Sequence, residues 1–251
     1  MNSDFEILVN DLRKIGLCPA DAVLIHSSYK SMGGLDGGIQ TLIDAVLAVI
    51  GEKGTLIVPT LSYATVTPEN PVFDYLNTPS CVGAISNYVL KMDGAVRSVH
   101  PTHSCAAIGY KKEYYTKDHF HDTTPVGKCS PFYKLREDNG KILILGCSTH
   151  SNTSMHGVEE FFGVPYVLTT PPITYEIILN GRNIKAEHKR HSIKQNGYSQ
   201  KYGRIIDAMD GDTVKHGTVH GADSYLINAP AMWDKAIRLL SGDPYYFVDP
   251  C

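Results

Sequence analysis

The stretch THSNTSMHGVEE, Thr149 to Glu160, follows a greasy run and sets a histidine three residues ahead of a carboxylate. With Thr153 as N-cap of a helix, His156 falls at the third helical position and Glu159 one turn later on the same face. The positive end of the helix disfavours imidazolium, so His156 would stay neutral and able to take a proton near neutral pH. Glu159 would orient the ring or stabilise the charge that forms, and free amides of the first turn would hold a developing oxyanion. That arrangement suits acyl transfer to an amine. The spacing equally allows a capped helix whose histidine only faces water.

Two further stretches could do chemistry. HSSYKSMGGLDGG (His26 to Gly38) lies between a strand pattern and a helix pattern. Its glycines would let amides crowd an anion at the helix start. The spacing fits neither the dinucleotide fingerprint nor the Walker loop, so an ordinary turn is as good a reading. RSVHPTHSCAAIG (Arg97 to Gly109) flanks His100 with Ser98 and Ser104 and adds His103. With His119, His121 and His150 these histidines suggest a metal site. None has the i, i+4 spacing of a zinc helix and no carboxylate is in register, so no metal is expected.

These residues need elements to hold them. The 251 residues are 43% hydrophobic and 20% charged, enough for a sizeable core. A formal net charge of -3 gives no general attraction to nucleic acid or to a membrane surface. No apolar run reaches the ~18 residues of a membrane span, and the acidic, amphipathic start is unlike a signal peptide. The six cysteines form no C-x-x-C pair, so a cytoplasmic protein without structural disulfides is expected.

Ser3 and Glu6 suggest a capped first helix ending near Gly16. Strand patterns cover Ala22 to Ser28 and Thr55 to Pro59, with helical spacing between them over Ile39 to Ile50. Thr60 to Ser80 reads as proline-rich loop and Gly83 to Lys91 as a helix. His103 to Tyr110 and Lys141 to Gly146 read as strands. Ile173 to Lys189 alternates around Asn180-Gly181, a hairpin. Ser199 to Met209 and Met232 to Leu240 read as helices. The expected fold is one α/β domain over residues 1–251: a largely parallel central sheet, helices on both faces and an added antiparallel hairpin region.

In order along the chain, IHSSYKSMGGLDGGIQTLIDAVLAVIGEKGTLIVPT, GAVRSVHPTHSCAAIG, SPFYKL, GKILILGCSTHSNTSMHGVEE and TYEI resemble the aminoglycoside 3-N-acetyltransferase family. HGTVHGADSYLINA is a weaker match. The resemblance spans roughly Asp21 to Ala229 and implies a fold other than the GNAT one. It implies acetyl-CoA as acyl donor and direct transfer to an amine. His26, Ser27, Ser28, Tyr29, Lys30, Ser31 and Gly34 would hold the coenzyme A arm, with Ser98, His100 and Ser104 beside it. The family's T-x-x-H-x-x-E motif falls on Thr153, His156 and Glu159, with the histidine as general base and Thr153 aiding the oxyanion.

The chain departs from that family where its members bind polycations. Their acidic segment after the hairpin corresponds here to EHKRHSIKQNG, where Lys189, Arg190 and Lys194 stand in place of carboxylates. The acidic position those members carry before Ile-Pro falls here on Gly163, before Val164-Pro165, and the acidic loop after the second strand is shortened, although Phe73-Asp74 remain. One misplaced charge near 4 Å costs about 1–4 kcal/mol. The expected acceptor is therefore an amino sugar on a nucleoside diphosphate, with Asp74, Lys189, Arg190 and Lys194 toward it and an aminoglycoside as the alternative. The basic run could instead be a solvated face or meet the coenzyme A phosphates. A metal-dependent hydrolase and a non-catalytic coenzyme A-binding module are the readings from other classes. A homodimer is one assembly compatible with the sequence.

Overall fold

The computed structural model describes residues 3–251. Along the chain, α1 (Ser3–Ile15) leads to β1 (Ala22–Ser27), α2 (Gly38–Ile50) and β2 (Thr55–Pro59). Next come β3 (Val72–Asp74), α3 (Ala84–Val89), β4 (Val96–Arg97), β5 (Cys105–Gly109), α4 (Lys112–Thr116) and α5 (Pro131–Glu137). After them follow β6 (Lys141–Leu145), α6 (Ser154–Phe162), β7 (Ile173–Leu179), β8 (Arg182–His188), β9 (Tyr198–Gln200) and α7 (Arg204–Ala208). The chain closes with β10 (Val214–Val219), β11 (Ala222–Asn228), α8 (Ala229–Gly242) and β12 (Val248–Pro250).

Seven strands form the main sheet in the order β10-β11-β6-β1-β2-β5-β4. Its centre is parallel, with β1 between β2 and β6. The outer strands pair antiparallel: β11 on β6, β10 on β11, β5 on β2 and β4 on β5. The expected parallel sheet thus describes the centre, and short returns on both flanks make the whole sheet mixed. Side chains alternate between two cores. Leu24, Ile57, Ile142 and Ile144 face α5, α6 and α8, while Val23, Leu56, Leu143 and Leu145 face α1, α2 and α3. Both faces of the central strands are buried, which is why they read as continuous apolar runs.

The hairpin β7-β8 turns at Asn180 and Gly181, both at positive φ, and β3 joins it in parallel. Residues 199–209 are not one helix. Tyr198–Gln200 is a strand paired with β12, and helix begins only at Arg204. Gly203 at the helix N-cap carries the chain from the one to the other. The 60–80 segment is loop apart from β3, whose Phe73 is buried with Tyr175 and Ile177. Ser3, expected as the cap of α1, is the first described residue and already lies within the helix.

Candidate active site

A cleft of about 710 Å³ opens beyond the carboxyl ends of the central parallel strands. Chain order explains its place. From β1 the chain moves to β2 on one side, while β6 lies on the other, so the connections diverge and leave a crevice at the strand ends. Ile25, His26 and Ser27 of β1, Pro59 at the end of β2, and Cys147, His150, Thr153 and His156 after β6 line it. The loop after β1 packs onto the exit of β6: a Cβ on Gly146 would sit 1.8 Å from Ser31 Oγ, and its φ is +63°. Only glycine lets these two segments meet.

Helix α6 presents the chemical groups. Thr153 is at its N-cap position but makes no side-chain cap; Asn152 Oδ1 accepts from the Ser154 amide instead, at 3.2 Å. His156 therefore occupies the third helical position. Met155 and Val158 bury the helix in the α5–α8 core. Gly157 allows close approach, since a Cβ there would come within 2.5 Å of Val126 and 2.6 Å of Trp233.

Glu159 is fully buried one turn on. Tyr166 donates to its Oε1 at 2.9 Å and Tyr202 to its Oε2 at 2.5 Å. Burial pushes its pKa up to about 7, against the pull of those two hydroxyls. The Tyr202 oxygen also lies 2.8 Å from His156 Nδ1. Its single proton is given to the carboxylate, so it accepts from His156 Nδ1–H. That choice leaves Nε2 as the unprotonated nitrogen, 3.1 Å from the Gln200 amide nitrogen. Direct contact between His156 Nδ1 and Glu159 is longer, 3.9 Å. Burial, then the neighbouring His191, holds the His156 pKa well below the ordinary imidazole range. The geometry is that of a neutral base oriented by a tyrosine and backed by a carboxylate.

The sequence-derived residues separate into two groups. Thr153, His156, His26, Ser27, Arg190 and Lys194 line the cleft, and Glu159 lies one hydrogen bond behind it. Burial drives the His26 pKa down to about 3, and its Nε2 has no partner, so the ring offers a neutral, unsatisfied contact. Ser28, Tyr29, Lys30, Ser31 and Gly34 form the adjoining turn outside the lining. Ser98, His100 and Ser104 sit deeper and fully buried, held by other side chains and the backbone, with only His100 Nε2 among their side-chain polar atoms left without a partner. Ser98 bonds His119 at 2.9 Å; His100 Nδ1 accepts from the amides of Thr102 and His103; Ser104 joins Arg97 and Thr60. Asp74 caps its own loop through Leu76 and Asn77. Lys189 also lies outside the lining.

Tyr202, Gln200 and His191 complete the site without having been singled out as site residues. Tyr202 and Gln200 belong to the strand and turn read as helix, and no spacing linked them to His156. Tyr166 donates its hydroxyl to Glu159 from behind the cleft.

The aminoglycoside 3-N-acetyltransferase family model matches residues 24–241. Aminoglycoside N(3)-acetyltransferase IV of Salmonella sp. is 28% identical over 97% of this chain and 89% of its own length. Aminoglycoside N(3)-acetyltransferase VIII of Streptomyces fradiae is 30% identical over 79% of this chain and 74% of its own. The crystal structure of the aminoglycoside acetyltransferase AAC(3)-IVa apoenzyme superposes with a TM-score of 0.81 at 25% identity, covering 98% of this chain and 91% of that one. AAC-IIIb, solved as a binary complex with CoASH, shares the fold with a TM-score of 0.83 at 23% identity, over 95% and 96% of the two chains. The chain belongs to the aminoglycoside 3-N-acetyltransferase family and is an N-acyltransferase.

Proposed function

We propose that this chain transfers an acetyl group from acetyl-CoA to an amine of an amino sugar, with His156 as general base. The acceptor that its relatives favour is an aminoglycoside: two of them carry that activity in their names, and AAC(3)-IVa, 25% identical, has been solved in complex with a gentamicin. The observation that carries the reading is the unprotonated Nε2 of His156 in a cleft at the strand ends, met there by the Gln200 side-chain amide.

The thioester supplies an activated acetyl group. His26, with its unpartnered Nε2, and Ser27 are placed in the cleft wall to hold the donor's polar atoms. As the acceptor nitrogen bonds to the acyl carbon, His156 Nε2 takes its proton, and the carbon–sulfur bond then breaks. The proton returns from His156 to the departing thiolate, leaving amide and thiol. Tyr202 keeps Nδ1–H in place throughout, and Glu159 stabilises the imidazolium through it. The amides at the start of α6 and the Thr153 hydroxyl are the nearest donors for the oxyanion.

One observation favours a second acceptor. The cleft lining contains no aspartate or glutamate among the described residues, whereas Arg190 and Lys194 are both in it. A polycation gains nothing there, and an amino sugar carrying phosphate meets two cations. Of the two, Lys194 is the freer, since Arg190 donates to the carbonyls of Val66 and Tyr63. Cations flanking that segment turn elsewhere: Lys201 and Arg204 pair with Asp249, and Lys185 with Glu176.

The test is thiol release from acetyl-CoA with gentamicin, kanamycin and a set of dTDP- and UDP-linked amino sugars, alongside His156→Ala. Turnover of the aminoglycosides supports the leading acceptor; turnover of the nucleotide sugars alone supports the second. Turnover of neither class, or an undiminished rate in His156→Ala, would overturn the reading.

A further inference from the structure

Helix α6 carries a second carboxylate, Glu160, next to the one that backs the base. Its Oε1 lies 2.6 Å from His191 Nε2 and accepts from the Val126 amide at 3.0 Å. The His191 ring is stacked on the His156 ring, with centroids 3.9 Å apart and planes 17° from parallel. His191 lines the cleft, yet its Nδ1 and Glu160 Oε2 are buried without partners. Nothing in the transfer as described so far uses this pair. A carboxylate fully withdrawn from water needs a reason to be there, because burial alone opposes its charge.

We propose that His191 and Glu160 form a second histidine–carboxylate pair that stabilises protonated His156 across its ring face, making both of them positioning residues for the base. The inference rests on His156 being the base. Glu160 accepts the Nε2–H of a neutral His191 and so pushes electron density into the ring whose face meets His156. When His156 takes the proton, an imidazolium lies over an electron-rich plane instead of over a bare hydrocarbon wall. In the ring plane the same imidazolium is held by Tyr202 and Glu159. The base is thereby supported from its edge and from one face.

The groups around the pair are consistent with a neutral His191. His103 meets His191 edge-on at 4.6 Å and His156 at 6.2 Å, with His100 behind it. Arg190 adjoins His191 in sequence, and Asp122 and Thr124 face Glu160. A cationic His191 would repel Arg190 and the imidazolium alike, and its lowering of the His156 pKa is that charge repulsion, which a neutral His191 paired with Glu160 does not exert. Burial moreover holds its pKa down to about 3, while burial raises that of Glu160 to about 7.

The experiment is acetyl transfer by the full chain, followed by initial rates of thiol release from pH 4 to 9, with folding checked at each pH by circular dichroism, for Glu160→Gln, His191→Phe and His156→Ala. Glu160→Gln keeps the size and removes the charge; His191→Phe keeps the stacked plane and removes the nitrogen. Both are expected to lower kcat roughly tenfold with the acceptor KM changed less than about twofold. Both are expected to move the acidic limb of the profile to lower pH by about half a unit or more. Glu160→Asp should recover part of that shift. Profiles that overlay the parent's, or move upward, would overturn the proposal. If one variant fails to fold by circular dichroism, the other decides. Should His156→Ala keep its rate, the base assignment fails and this inference with it. Should His156→Ala be inactive while the two profiles stay in place, only the second pair is refuted.

Discussion

Segments 97–104 and 149–160 look alike as strings of serine, threonine and histidine, yet the fold uses them in opposite ways. In the first, most polar atoms are tied to one another and to the backbone, although Thr102 and His103 reach the cleft wall and His100 Nε2 has no partner. Arg97 donates to the carbonyls of Thr60, Tyr75 and Thr78 and to Ser104 Oγ, and Ser98 ties His119 to the Cys105 amide. That segment knits the 60–80 loop to the sheet. In the second, a strand end opens into a cleft, and His156 presents an unprotonated nitrogen there beside the Gln200 amide. Composition does not separate scaffold from site here. What separates them is whether a polar atom is consumed by its neighbours or left facing a cavity.

Acid should erase both regions together and is the largest effect expected. His26, His119 and His191 have pKa values lowered by burial to about 3 and His188 to about 4, while burial also lowers those of His100, His103 and His156. Unfolding restores values near 6.5, so the unfolded chain binds more protons below that pH. Stability is complete above about 6.5 and lost as pH falls, each such histidine contributing about 1.4 kcal/mol per pH unit below that value. Glu159, Glu160 and Asp122, raised to about 7, 7 and 6 mainly by burial, oppose this between about 4.5 and 7 but are fewer. Melting temperatures measured from pH 7.5 to 5 should fall ever more steeply below pH 6; a flat profile would mean the rings are not held neutral.

Substitutions then divide the two segments. Arg97→Ala strips the carbonyls of Tyr75 and Thr78 of their guanidinium donor and should cost about 3 kcal/mol of stability. For a chain of this size that is a melting point lower by roughly 6–12 °C. The rate per folded molecule should be unchanged, because the guanidinium touches no cleft residue. His156→Ala should do the reverse, lowering kcat by about two decades or more with little change in melting temperature. Tyr202→Phe should fall between these limits in rate, about tenfold down in kcat, since the ring stays packed and only the tautomer-setting hydroxyl is lost. Equal rate losses for Arg97→Ala and His156→Ala would show that the division is false.

Sequence alone reaches some of this and misses the rest for identifiable reasons. The strands at Ala22–Ser27, Thr55–Pro59 and Lys141–Leu145 are legible because burial on both faces makes them apolar throughout. The Asn180-Gly181 turn is legible because both residues take positive φ. His156 and Glu159 are legible because they share one helix, where spacing sets which face they occupy. Tyr202 lies 46 residues from His156 and reaches it only because β9 pairs with β12 and carries the following turn into the cleft. Glu160 meets His191 from another element in the same way. No periodicity records either contact. The hairpin of β10 and β11, which turns at His220-Gly221, also lies where no strand is expected; its exposed glycine and histidines mask the alternation.

The central claim is that the unprotonated Nε2 of His156 receives the proton of the attacking amine. It is tested most directly by a crystal structure of the chain with coenzyme A and an acceptor that it turns over. The account predicts the acceptor nitrogen about 3 Å from His156 Nε2, with the coenzyme A sulfur beside it at the ends of β1 and β6. An acceptor nitrogen or a sulfur seated in another part of the molecule, beyond reach of that ring even through one water, would contradict it.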